Sequence, residues 1–163
     1  MNLLYELECT YRSPILLYTD FPRLKYYIQN LYGCPNENGG GNNDQKSKCN
    51  LFLHVHSNEY VSLEYKGSAF EVIATGKGNL YKIKYGNKYL TYHTKVSNWI
   101  VVDDSDSYMT WEILPRGGGY SIRSKYNCQS WPCNEELTTG NAKDRYLWLE
   151  SGWYQAFKLI PVD

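Results

Sequence analysis

Thr110-Trp111-Glu112-Ile113-Leu114 sets a small residue, an aromatic, a charge and two aliphatics in succession, and the order recurs at Ala69-Phe70-Glu71-Val72-Ile73 and Ala156-Phe157-Lys158-Leu159-Ile160. The aromatic anchors stand 41 and 46 residues apart, a spacing typical of repeats built from one supersecondary motif. Upstream of each anchor lies a second matched segment. These are Tyr60-Val61-Ser62-Leu63-Glu64, Trp99-Ile100-Val101-Val102-Asp103 and Tyr146-Leu147-Trp148-Leu149-Glu150, each opening with an aromatic and closing with an acid.

The unit starts correspond as well: Leu4-Tyr5-Glu6-Leu7-Glu8, Leu80-Tyr81-Lys82-Ile83-Lys84 and Gly119-Tyr120-Ser121-Ile122-Arg123. Apolar and polar residues alternate in all three, the period of two that a half-buried strand requires. A further strand follows each, at Ile15-Leu16-Leu17-Tyr18, Tyr89-Leu90-Thr91-Tyr92 and Tyr126-Asn127-Cys128-Gln129. Glycine-bearing turns at Gly76-Lys77-Gly78-Asn79, Gly117-Gly118-Gly119 and Tyr85-Gly86-Asn87-Lys88 separate the segments, as hairpin chemistry demands. The units run over about 1–75, 76–115 and 116–163. The first is longer, because 41 residues separate Tyr18 from Tyr60 where 6 separate Tyr92 from Trp99. The spacing therefore predicts an insertion over 19–58 that decorates the body, with the Asn/Gly-rich 36–47 stretch dispensable to stability.

Twelve strands in three four-stranded units resemble the β-trefoil, an all-β superfold in which six strands close a barrel and three hairpins cap one end. Gly86-Asn87-Lys88-Tyr89-Leu90 is similar to the hairpin of fascin-like units, and Gln155-Ala156-Phe157 to the Gln-any-Trp motif of ricin-type lectin repeats. The resemblance implies pseudo-threefold symmetry over the single domain 1–163 and a binding role: lectins, protease inhibitors, cytokine-like ligands and partner-binding modules share the superfold. The matched positions predict a core of Phe70, Trp111 and Phe157 with Leu7, Ile83, Ile122, Leu63, Val101, Ile73, Leu114 and Ile160.

Lys+Arg 17 balances Asp+Glu 17, which argues against a nucleic-acid coat or a polybasic membrane binder. No apolar run approaches the roughly 18 residues of a spanning helix, and the acids at Glu6 and Glu8 do not suit a signal peptide, so a soluble chain is expected, cytoplasmic or secreted after processing. Five cysteines are too few for a disulfide scaffold. Cys34 with Cys49 can staple the base of the inserted loop and Cys128 with Cys133 can form a local bridge; zinc binding or free thiols are the alternatives.

No phosphate loop, nucleophile elbow or metalloprotease histidine pair is present, and neither a catalytic set nor a cofactor is expected. Asp103-Asp104-Ser105-Asp106 lacks the glycine and glutamate of a calcium loop. His54 and His56 lie two apart on a strand and share a face, either to ligate a metal with a third donor or to line solvent while Leu53 and Val55 point inward. The clearest chemical signal is aromatic: Tyr 17 and Trp 5 bring aromatic content to 16%, an enrichment suited to strands and binding surfaces. Trp131, Asn134 and Trp153 in the third unit are the preferred ligand contacts, and Trp99, His93, Asp103 and Asp104 in the second form a further grouping. Trp and Tyr stack on the apolar face of a sugar while Asn and Asp meet its hydroxyls, so the expected function is non-enzymatic carbohydrate recognition. The alternative is a protein-binding inhibitor or regulatory factor acting through 19–58.

Overall fold

The computed structural model describes residues 25–34, 43–92, 99–104, 109–125, 133–140, 143–151 and 155–162. Strands form where apolar and polar side chains alternate. In β5 (Leu80–Tyr85), Tyr81 and Ile83 are buried while Lys82 and Lys84 keep partial access to water, so a single extended segment serves core and surface at once. Five further strands of the same character, β1 (Lys25–Asn30), β4 (Phe70–Ala74), β8 (Trp111–Arg116), β9 (Gly119–Lys125) and β12 (Phe157–Pro161), complete a ring with it. β1 pairs with β4, β4 with β5, β5 with β8, β8 with β9, β9 with β12 and β12 with β1, all antiparallel. The ring is a closed six-stranded barrel, which leaves none of its strands with an open edge.

Outside the barrel lie β2 (Phe52–Val55) with β3 (Val61–Glu64), β6 (Lys88–Tyr92) with β7 (Ile100–Asp103), and β10 (Cys133–Thr138) with β11 (Trp148–Glu150). Each pair extends a barrel strand: β2 from β1, β6 from β5 and β10 from β9. The two-residue turn at Gly86-Asn87 joins β5 to β6, with Gly86 at φ 57°, a conformation that costs glycine little and a side-chain-bearing residue more. The core runs from the barrel interior (Ile28, Phe70, Tyr81, Ile83, Trp111, Ile113, Ile122, Phe157) to the underside of the outer pairs (Leu53, Leu63, Leu90, Ile100, Leu137, Leu147, Leu149) as one cluster. Trp111 joins its two parts, since its buried indole Nε1 donates to the Leu90 carbonyl at 3.1 Å.

The β-trefoil expected from the three repeat units is corrected to this barrel with outer strands. The finding that overturns it is the origin of the first strands: β1 and β2 lie inside 19–58, the stretch expected to be a mere insertion, and β1 has barrel neighbours on both sides. The expected strands at 4–8 and 15–18 lie outside the described residues. In the last third of the chain, the strand beside β9 is Cys133–Thr138 and not the expected 126–129, which is also undescribed. Repeat spacing placed the hairpins well where the connections are short, and failed where a long connection hid the phase of the strands.

The segment after β1 is likewise part of the body. A single helical turn, α1 (Asn43–Lys46), buries Gln45, whose Nε2 donates to the Gly140 carbonyl at 3.4 Å. Gly33, at φ 86°, passes so close that a Cβ there would lie 2.1 Å from the Gln45 carbonyl oxygen. The Cys34–Cys49 disulfide closes this loop. Asn30 organises the buried polar groups beneath it, donating to the carbonyls of Tyr32 and Lys48 and accepting from Tyr32 N–H and the Gln155 amide. Within 36–47, the described residues 43–47 are packed or hydrogen-bonded, and 36–42 lie outside the described residues. Buried polar atoms need such partners, and Asn supplies both donor and acceptor from one short side chain.

Of the expected core, Phe70, Trp111, Phe157, Ile83, Ile122, Leu63 and Val101 are buried. Leu7 lies outside the described residues. Ile73 is exposed, and Leu114 and Ile160 are only half-buried. Strand alternation explains the error, because the residue two beyond each anchor shares its face and the residue three beyond does not. Val72, Ile113 and Leu159 pack on the core instead.

Candidate functional site

Each outer pair has a strand entered by an aromatic residue: Tyr60 directly before β3, Trp99 directly before β7 and Tyr146 just before β11. The backbone draws the three entries together. Isolated bridges join Tyr60 to Val101, Ser62 to Tyr146 and Trp99 to Trp148. Hydrogen bonds from Leu63 N to Arg145 O (2.7 Å), Leu147 N to Val61 O (3.1 Å), Ile100 N to Leu147 O (2.9 Å) and Val102 N to Glu59 O (3.0 Å) lock them around a common centre.

At that centre is a cleft of about 300 Å³ lined by Asn58, Tyr60, Trp99 and Tyr146, at the small end of the usual range for small-molecule sites. The Tyr60 and Trp99 rings lie 6.3 Å apart at 83°, Tyr60 and Tyr146 6.4 Å apart at 86°, and Trp99 and Tyr146 5.5 Å apart at 71°. Trp148 backs Trp99 at 5.9 Å, and the His56 ring lies 5.7 Å from that of Tyr146. The three lining rings are half-buried.

Asn58 is exposed on the turn between β2 and β3, where its Oδ1 accepts the Tyr60 N–H at 3.2 Å. Glu59 holds the left-handed position of that turn (φ 75°), and its carboxylate pairs with Lys88. This hydrogen bond raises the Lys88 pKa, even though partial burial acts against it.

Beside Tyr146 lies a Ser, His and acid grouping with the wrong wiring for a nucleophile. Ser62 Oγ donates to Glu64 Oε2 at 2.7 Å, so the His56 Nε2 at 2.5 Å is assigned as the donor to Ser62. The acid therefore holds the hydroxyl and does not orient the imidazole, and Ser62 is buried at 1% exposure. Arg145 caps the other oxygen of Glu64 at 3.4 Å. The His54 and His56 rings meet at 4.8 Å on one face, as their spacing predicts, with Leu53 buried and Val55 half-buried. Among the described residues no group of three His, Cys, Asp or Glu side chains is placed to hold a metal ion.

Of the residues singled out from the sequence, Trp99 lines the cleft. Asp103 and Asp104 are exposed at and just beyond the far end of β7, four and five residues from Trp99 and so roughly 13–17 Å away at strand rise. They do not share its site. Asn134 belongs to β10, though its side chain lies outside the described set, as do His93, Trp131 and Trp153 altogether. Sequence reasoning passed over Asn58, Tyr60 and Tyr146. The signal was present: Tyr60, Trp99 and Tyr146 occupy one position in the three matched segments.

No family of known proteins, no characterised protein and no solved structure matches this chain. No helix among the described residues is long and apolar enough to cross a membrane.

Proposed function

We propose that this protein is a non-enzymatic recognition module that binds carbohydrate in the cleft of Tyr60, Trp99 and Tyr146. The supporting observation is the convergence of three half-buried aromatic rings, one from each outer strand pair, on a cleft whose described lining also includes an exposed amide. Rings of this kind stack on the C–H face of a sugar, and an amide exchanges hydrogen bonds with its hydroxyls. Partner capture through 19–58 has less room, since β1, β2 and α1 within that stretch serve the barrel and its packing.

A glycan array followed by calorimetric titration tests the proposal. Trp99→Ala is expected to weaken glycan binding by about 1–3 kcal/mol, the cost of losing one aromatic stacking partner, with an unchanged circular dichroism spectrum. Absence of binding to every glycan on the array overturns it.

A further inference from the structure

Resting on the carbohydrate reading, we propose that the preferred ligand is a terminal sugar bearing an N-acetyl group, whose methyl seats in the corner formed by Tyr60, Trp99 and Tyr146. A flat sugar face needs one parallel ring. Here three rings stand at 83°, 86° and 71° to one another, with centroids 6.3, 6.4 and 5.5 Å apart, the relation of three walls meeting at a corner. A point above three mutually perpendicular ring faces lies from each by the centroid separation divided by √2. These separations put it at about 4 Å, the contact distance between carbon atoms. The site is thus shaped for a compact apolar group that touches three faces, and a methyl on a short arm is such a group.

Charge separates an N-acetyl group from its nearest competitor, a substituted ammonium, which also favours aromatic corners. None of the four described lining residues carries a carboxylate. Among the described residues, the acids that flank them have partners: Glu59 with Lys88, Glu64 with Ser62 and Arg145, Asp144 with the Tyr146 N–H at 3.2 Å and Glu150 with Trp148 Nε1 at 3.2 Å. A cation would find no carboxylate among the described residues that line the cleft, whereas an amide enters neutral. Asn58 complements it, since its Oδ1 already accepts the Tyr60 N–H and its NH₂ group is a donor suited to an acetamido carbonyl. The cleft volume of about 300 Å³ limits the ligand to the end of a glycan.

The test is a titration of the full chain with N-acetylglucosamine, N-acetylgalactosamine, glucose, galactose, glucosamine and tetramethylammonium chloride. The acetamido sugars are expected to bind at least about tenfold more tightly than their parent hexoses, the worth of one well-buried methyl and its amide. Their methyl proton resonance is expected to move upfield on binding, through the ring currents of the corner, which checks the geometry without any variant. In Tyr146→Ala the tenfold preference is expected to vanish. Equal affinity for acetamido sugars and hexoses, or an unshifted methyl resonance, overturns this inference and leaves the carbohydrate reading standing. Tighter binding of glucosamine or tetramethylammonium overturns it in favour of a cation. Failure of every one of these sugars to bind overturns this inference, and absence of binding across the glycan array overturns the carbohydrate reading with it.

Discussion

Lys48 is the least expected residue of the interior, at 1% exposure beneath the loop that follows β1. Burial lowers its pKa, an effect partly offset by Asp144 and Asp44 and reinforced by Arg145. For a base whose folded pKa is depressed, the unfolded chain binds the proton more tightly. The stability penalty is therefore complete below the folded pKa and fades as pH rises from there toward the ordinary lysine value. The buried phenols of Tyr32 and Tyr81 act in the opposite sense, because burial raises their pKa values and their ionisation in the unfolded chain destabilises the fold at high pH. A comparison with Lys48→Met isolates the lysine. Urea unfolding of both proteins between pH 7 and pH 10 is expected to show the stability of the parent gaining on the variant as pH rises, and parallel curves would refute the assignment.

At the scale of elements, the loop between β1 and β2 shows how a polar segment becomes structural. Glycines and asparagines cannot bury enough apolar surface to order themselves, so its packed half depends on other means. The Cys34–Cys49 bond closes it over a sequence separation of 15 residues, α1 inserts Gln45, and Asn30 satisfies the buried carbonyls beneath. Loop-closure entropy assigns a bridge of this length about 3 kcal/mol. The double variant Cys34→Ser, Cys49→Ser is expected to lose about that much by urea denaturation and to expose residues 43–49 to amide exchange ahead of β1. Protection of 43–49 equal to that of the barrel in the variant would show that the polar contacts alone hold the segment.

For the whole molecule, barrel and outer strands share one core, so they should unfold together. Trp111 sits inside the barrel and bonds to β6 outside it, and Leu63 packs beneath an outer pair at 0% exposure. Trp111→Ala is expected to cost about 3–5 kcal/mol and Leu63→Ala about 2–5 kcal/mol, and each should lower a single transition seen alike by fluorescence and circular dichroism. Two separate transitions in either variant would show the outer strands to be an independent unit.

Alternating side chains carried the local structure unaided. Leu80–Tyr85 reads as a strand with Tyr81 and Ile83 inward, Gly86-Asn87 as its turn, and Phe70, Trp111 and Phe157 as core anchors, because each depends on neighbours within a few residues of chain. The Cys34–Cys49 pairing was legible too, as one of several open possibilities. Two matters were decided only by tertiary structure. Lys25–Asn30 became a barrel strand through partners on β12 and β4 that are far away in sequence, and nothing in 19–58 announces which of its short apolar runs will meet them. The cleft exists because bridges between distant strands set Tyr60, Trp99 and Tyr146 ring against ring. Repetition shows that the three are equivalent; their meeting depends on how the outer pairs are tilted against the barrel, which is a property of packing and not of any one segment.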